Sequence, residues 1–159
     1  AEFFQVPRDF ISHMADIDQP VVAVGTTSVR TLESLYWMGV KVRERGMIPA
    51  EELKLAQWEA YELRQDTSIQ DAFRALIKWL DHHGMQELFS STRLMIVPGY
   101  QFKMVKTLIT NFHQPGSTLL LLVAAFIGDY WKDAYRYALE KGFRFLSYGD
   151  SSILFRNQV

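Results

Sequence analysis

The sequence predicts an α/β domain built on a mixed sheet flanked by helices. Three observations carry that class. The run Val21-Val22-Ala23-Val24 is apolar throughout and stops at Gly25, the pattern of a strand buried on both faces. Helical stripes alternate along the chain with short apolar runs, so neither an all-helical nor an all-strand class fits. The 159 residues are 48% hydrophobic and 22% charged, which is enough for one domain with a real core and too apolar for disorder. A single domain over 1–159 is expected, with a helical insertion at about 47–89.

Each element follows in order. Phe3, Phe4 and Val6 open the chain in an extended segment that Pro7 closes, and 9–14 reads as a short helix. After the 21–24 strand, Thr26, Thr27 and Ser28 are N-cap residues for a helix. Its apolar positions Val29, Leu32 and Tyr36 recur at helical spacing, and Gly39 is expected to stop it. In the insertion, Leu53, Ala56, Ala60 and Leu63 share one helical face after Pro49. A second helix starts at the capping-box pair Thr67 and Gln70, carries the stripe Ile69, Ala72, Phe73, Leu76, Ile77 and Leu80, and closes at His82-His83-Gly84. Together they read as a helical hairpin. Strands are expected at 93–97, 100–105 and 108–110. Pro115 suits the first turn of a helix that is apolar almost all round to Phe126. A helix at 130–141, a strand at 143–148 and an edge strand at 153–155 complete the chain.

Composition excludes several classes of function. Lys+Arg is 17 against Asp+Glu 18, so no overall positive field draws nucleic acid to the chain. There is no cysteine, which removes disulfide scaffolds, thiolate metal sites and a cysteine nucleophile. The longest apolar run, 119–127, is about half the roughly 20 residues of a membrane-spanning helix. The chain opens on Ala-Glu-Phe-Phe rather than Met, which suggests a piece of something longer.

Two places share one chemical feature, a strand running through a polar loop into a helix. A helix N-terminus exposes unpaired N–H groups and partial positive charge, so it holds anions or hydroxyl-rich ligands. The first place is Gly25-Thr26-Thr27-Ser28, followed by Arg30 and Glu33; the second is 111–118. Plain N-capping accounts for the first without any ligand, and Arg30 and Glu33 are spaced to pair on a helix. His113 is a candidate for proton transfer because imidazole titrates near neutral pH, and equally a structural turn residue. Ser147-Tyr148-Gly149-Asp150 places a carboxylate after a strand, as an Asx-type turn also would. Adjacent His82 and His83 diverge on a helix and suggest no metal.

Four collinear motifs carry the reading further. Val22-Ala23-Val24-Gly25-Thr26-Thr27-Ser28-Val29-Arg30-Thr31-Leu32-Glu33-Ser34 resembles the "VGTTSVRTLES" signature of S-adenosylmethionine:tRNA ribosyltransferase-isomerases, the queuosine-pathway enzymes. Pro98-Gly99-Tyr100-Gln101-Phe102 is similar to that family's "PGYxF" element. Thr110-Asn111-Phe112-His113-Gln114-Pro115-Gly116-Ser117-Thr118-Leu119-Leu120 resembles its "TNFHLPxSTLL", and Ser147-Tyr148-Gly149-Asp150 its "SYGD". Glu2 is similar to a glutamate of the "HSExxxV" stretch. The likeness covers the C-terminal part of the family only, whose full members add an N-terminal portion and an inserted β-barrel domain. Gln114 and Gly116 depart from the usual Leu and basic residue, Ser151-Ser152 from Ala-Met, and 47–89 is longer than the link expected there.

The resemblance implies a tRNA-modifying transferase-isomerase. It would move the ribosyl part of S-adenosylmethionine to a 7-aminomethyl-7-deazaguanine base in tRNA, giving epoxyqueuosine, adenine and methionine, without a metal. It implies a cytoplasmic, membrane-free setting, and the missing N-terminal portion as a partner in completing the site. On this reading His113 is a proton-transfer residue and Asp150 its orienter or a second acid/base. Thr26, Thr27, Ser28 and Arg30 position a carboxylate, ribose or phosphate. Asn111 and Tyr148 orient hydroxyls, and Glu33, Tyr100 and Ser117 join the substrate-binding set. Lys103, Lys106, Arg136, Lys141 and Arg144 are candidates to touch tRNA. Two other readings remain open: a divergent paralogue acting on another nucleoside, and a non-catalytic nucleoside- or RNA-binding module.

Overall fold

The computed structural model describes residues 1–156. Its elements are β1 (Glu2–Pro7), α1 (Arg8–Ala15), β2 (Val21–Val24), α2 (Thr26–Arg45), α3 (Ile69–His82), β3 (Glu87–Thr92), β4 (Val105–Asn111), α4 (Thr118–Ile127), α5 (Tyr130–Glu140) and β5 (Ser151–Phe155). Short 3₁₀ turns lie at Ala50–Glu52 and Glu59–Tyr61. The fold is α/β, with an antiparallel pair β1–β3 and a three-stranded mixed sheet in the order β2–β4–β5. The described residues form two compact units, the first from 1–19 and 30–94, the second from 20–29 and 95 onward. The boundary falls inside α2.

In the first unit, β1 pairs with β3 from Glu2↔Thr92 to Pro7↔Glu87. The Arg8 guanidinium then grips Asp81 through two hydrogen bonds of 2.6 and 3.0 Å, tying the start of α1 to the end of α3. Gly39 does not stop α2. A Cβ at Gly39 would lie 2.1 Å from the Ala72 carbonyl oxygen, so this glycine lets α2 and α3 pack backbone to backbone. The helix ends at Gly46, whose φ is +80°.

Every residue from 33 to 42 is buried. The polar ones among them find partners: Ser34 donates to Thr92 Oγ1 at 2.8 Å, and Lys41 reaches the Lys54 carbonyl at 2.7 Å and Glu59 at 2.9 Å. Arg45 meets the same Glu59 oxygen at 3.0 Å. Burial alone would raise the Glu59 carboxyl, but the Ala56 N–H together with Lys41 and Arg45 brings it below the usual range.

The expected hairpin over 47–89 is one helix only. Leu53, Ala60 and Leu63 are buried as their spacing suggests, yet they sit in 3₁₀ turns and irregular backbone. The competing interaction is strand-like: the Leu55 N–H donates to the Ser91 carbonyl and the Arg93 N–H to the Leu55 carbonyl, at 3.2 and 2.9 Å. α3 starts one residue later than expected. Ser68, not Thr67, accepts the Asp71 N–H at 3.0 Å, while the Thr67 carbonyl takes the Tyr36 hydroxyl at 2.7 Å. The helix closes through His83 and Gly84, the latter at φ +64°. The ladder expected at 93–97 lies upstream instead, in β3.

In the second unit, β2 runs parallel to β4, and β5 antiparallel to it. Ala23, Leu108 and Leu154 form a buried row across the three strands, and α4 packs against β5. β2 was expected to be buried on both faces, but only Ala23 is. Of the 100–105 segment only Val105 joins a ladder. Tyr100 and Phe102 are buried by ring contacts instead, edge to face at 5.0 Å, with Phe102 on Phe126 at 4.9 Å. The 143–148 strand is absent. Its backbone turns at Leu146, which adopts φ +70°, so no extended run is possible there.

Candidate functional site

The sheet of the second unit decides where the polar loops go. β2 and β4 are parallel, with Val24 opposite Ile109, so both carboxyl ends reach one edge. β5 is antiparallel, with Ser151 opposite Asn111, so it begins at that same edge. Residues 25–28, 111–117 and 148–150 therefore share the carboxyl edge of the parallel pair, where open α/β sheets bind their ligands.

Gly25 makes the turn from β2 into α2. Its φ is +88°, and its N–H donates to the Ile109 carbonyl at 2.8 Å, which joins the first loop to β4. Thr26 is buried and Thr27 exposed, and the Ser28 hydroxyl donates back to the Val24 carbonyl at 2.8 Å.

Asn111 ends β4 and works as a clamp. Its Nδ2 donates to the carbonyls of Gly149 and Asp150 and to Ser151 Oγ, at 3.4, 3.3 and 3.2 Å. Phe112 is buried among Tyr135, Phe143 and Phe145, and its carbonyl accepts the Leu146 N–H at 2.9 Å. The second and third loops are thus tied together through two consecutive residues.

His113 follows directly. Its main-chain N–H donates to the Tyr135 hydroxyl at 3.0 Å, and its Nε2 lies 3.1 Å from Thr110 Oγ1. Burial lowers the imidazole pKa, so the ring is neutral at pH 7. Burial also raises the Tyr135 phenol, which stays protonated. A neutral imidazole beside a hydroxyl can accept a proton without first losing one.

Beyond His113, the Ser117 N–H closes a turn on the Gln114 carbonyl at 3.3 Å, with Gly116 at φ +79°. Pro115 thus belongs to this turn rather than to the first turn of α4, an arrangement that suits Pro and Gly at its two central positions. The Ser117 hydroxyl caps α4 by accepting the Leu120 N–H at 3.2 Å.

Asp150 does not meet His113. Its carboxylate accepts the Arg144 N–H at 2.7 Å and the Arg144 guanidinium at 3.3 Å, and these bonds hold it below the usual carboxylate range. It closes the 144–150 loop that presents Tyr148, whose side chain is 98% exposed. Tyr100, by contrast, is buried against Phe102.

Among the basic candidates of this unit, Lys106 is exposed, Arg136 pairs with Asp133, and Lys141 lies 5.9 Å from the centre of the Tyr137 ring. Arg144 is engaged by Asp150, and Lys103 is half-buried. In the first unit, Arg30 Nε stands 3.4 Å from Glu2 Oε2, and Glu33 is fully buried in α2. Sequence reasoning missed the parts played by Thr110 and Tyr135. Both are polar residues on otherwise core-facing positions, a pattern that marks a needed hydrogen bond.

A family model described as queuosine biosynthesis protein matches residues 1–154. The chain belongs to that family. The S-adenosylmethionine:tRNA ribosyltransferase-isomerase of Thermotoga maritima is 33% identical over 157 residues, covering 96% of this chain and 34% of the relative. The enzyme of the same name from Acidiphilium cryptum is 39% identical over 137 residues, covering 86% of this chain and 27% of the relative. A crystal structure of S-adenosylmethionine tRNA ribosyltransferase from Thermotoga maritima matches with a TM-score of 0.59 and 32% identity, over 96% of this chain and 40% of that one. The chain therefore spans a minor part of the length of the queuosine-family relatives it matches.

Proposed function

We propose that this chain carries part of the catalytic core of an S-adenosylmethionine:tRNA ribosyltransferase-isomerase that makes epoxyqueuosine in cytoplasmic tRNA. The observation behind the proposal is the shared carboxyl edge of β2 and β4, where a neutral His113 stands in the same unit as the N-terminus of α2 and the Tyr148 loop.

The roles follow from the chemistry of the substrates. The sulfonium of S-adenosylmethionine acidifies the adjoining ribose carbon, and the neutral His113 imidazole takes that proton. The resulting imidazolium can return a proton to the departing adenine. The 25–28 turn at the start of α2 offers N–H groups and the Thr27 hydroxyl to the methionine carboxylate or a ribose hydroxyl. Asn111 and Asp150 act by holding the loop in place, so that Tyr148 faces the ligand. The amine of the 7-aminomethyl-7-deazaguanine in the tRNA then bonds to the ribosyl carbon, losing a proton, and methionine leaves as its C–S bond to that group breaks.

The test uses a polypeptide carrying the whole family span, with tRNA bearing the precursor base, and follows adenine release. His113→Ala is expected to lower turnover by about a hundredfold or more, in the range of general acid–base catalysis. Turnover equal to the parent enzyme would remove His113 from the mechanism. A second reading, a divergent paralogue for another nucleoside, is favoured by the Gln114-Pro115-Gly116 turn, where the family usually has Leu and a basic residue. It predicts adenine release from another nucleoside substrate and none with this tRNA.

A further inference from the structure

Thr110 carries a hydroxyl on the buried face of β4. Its side chain shares that face with Leu108, two residues earlier, and the residue is 6% exposed. A hydroxyl in such a place costs stability unless it is hydrogen-bonded. Its partner among the described residues is His113 Nε2, at 3.1 Å. The nearby Ser152 hydroxyl donates to the Thr110 carbonyl at 3.2 Å and leaves the Thr110 side chain to the imidazole. Valine has a similar shape, so what threonine adds here is the bond to the ring.

The chain from 110 to 113 is fixed as well. Asn111 is clamped on the 149–151 segment, the Phe112 carbonyl accepts the Leu146 N–H, and the His113 N–H donates to the Tyr135 hydroxyl. With the backbone held, the imidazole keeps only its side-chain rotations, and the Thr110 bond takes those. Nε2 is thereby occupied. Nδ1 has no hydrogen-bond partner among the described residues and is not sealed from solvent by them. It is the nitrogen that a ligand can reach.

A neutral imidazole has one N–H and one lone pair, and the bond made by one nitrogen sets the state of the other. A hydroxyl can take either role. If Thr110 donates to Nε2, the hydrogen lies on Nδ1 and the open nitrogen is no base. If Thr110 accepts from Nε2–H, the lone pair lies on Nδ1. We propose that Thr110 is a positioning residue that accepts from Nε2–H and so reserves Nδ1 as the atom that takes the proton. The proposal rests on His113 being the base, as proposed above. In that step the ribose C–H bond beside the sulfonium breaks, its electron pair stays on the carbon, and the proton bonds to Nδ1. Nε2–H keeps its bond to Thr110 throughout, and the bond strengthens as the ring gains charge.

The test begins with this chain, without substrate and with isotope-labelled histidine, by nitrogen NMR. The chain has four histidines, and the signals missing from His113→Gln are those of His113. At neutral pH, Nε2 is expected to show the shift of an N–H nitrogen and Nδ1 that of a nitrogen with a lone pair. The reverse assignment would overturn the proposal. Thr110→Val removes the acceptor of the charged ring, so the His113 pKa is expected to fall further, and Thr110→Ser to restore it. The Tyr135 phenol, the titratable group bonded to this residue, is the same in all three proteins. An unchanged or raised pKa in Thr110→Val would overturn the proposal. Should that variant fail to fold, the ring-nitrogen shifts of the parent and of Thr110→Ser still decide. In a polypeptide carrying the whole family span, Thr110→Val is expected to lower kcat for adenine release by about tenfold, less than His113→Ala, and leave KM unchanged. A loss confined to KM, or no loss, would overturn the proposal. The two proposals fail in different ways: a reversed tautomer with His113 still essential for adenine release sinks the role of Thr110 alone, whereas full turnover by His113→Ala removes the base itself.

Discussion

His113 is held neutral by its surroundings, and this has a consequence for stability. Burial puts its folded-state pKa below the ordinary value, so the unfolded chain binds the proton more tightly. The contribution to stability is therefore complete above about pH 6.5 and is lost as pH falls through the lower, folded pKa. His113→Gln keeps a hydrogen-bonding side chain next to Thr110 but cannot titrate. The variant is expected to lose less melting temperature than the parent between neutral and mildly acid pH, as measured by circular dichroism. Equal losses would show that the imidazole is not desolvated. Asp150 is different in kind: it is half-buried, and its low pKa comes from the Arg144 N–H and guanidinium, a loop closure rather than an acid poised for transfer.

At the scale of elements, the crossing of α2 and α3 depends on a missing atom. Gly39→Ala would place Cβ against the Ala72 carbonyl, and since the atoms it meets are backbone, the helices must move apart. The expected loss is about 2–3 kcal/mol in a urea titration, at the upper end of overpacking costs. The start of α3 provides a second check. Ser68→Ala removes the side chain that caps Asp71 N–H and should cost about 1 kcal/mol, whereas Thr67→Ala, which leaves the carbonyl that Tyr36 uses, should stay within about 0.5 kcal/mol.

These elements also show what could be read in advance. β2, α3, α4 and α5 were legible because apolar runs, helical stripes and terminal glycines report on contacts within the element itself. Gly39 was misread as a stop because its reason lies across the chain, in Ala72. The 53–63 segment looked helical because burial, not helix, set its spacing. The 143–148 segment looked extended because aromatic residues favour strands, yet here they serve the Phe112 cluster. At the site, the polar loops and His113 were visible as motifs. The bonds that hold them, Thr110 to His113 and Asn111 to the 149–151 backbone, depend on strand register, which no local pattern contains.

At the scale of the whole molecule, the chain spans 34% of the Thermotoga maritima relative, and its sheet is open on one face. A site at the edge of such a sheet lacks whatever walls the remaining polypeptide would add, and water left in it weakens every electrostatic contact. The 159-residue chain by itself is therefore expected to release adenine from S-adenosylmethionine and tRNA no faster than a no-protein control, in an assay where the full family span turns over. Release at a comparable rate would show that these residues alone complete the catalytic apparatus.

The tryptophans are unevenly placed. Trp37, Trp58 and Trp79 belong to the first unit and Trp131 to the second. Trp79 donates to the Ile48 carbonyl at 2.7 Å and stacks on His83 with ring centres 4.1 Å apart, so its emission senses the last turn of α3. Replacing Trp131 with Phe leaves a fluorophore set confined to one unit, and keeping only Trp131 confines it to the other. Two such proteins, melted side by side, would read out whether the molecule comes apart in one cooperative step or in two.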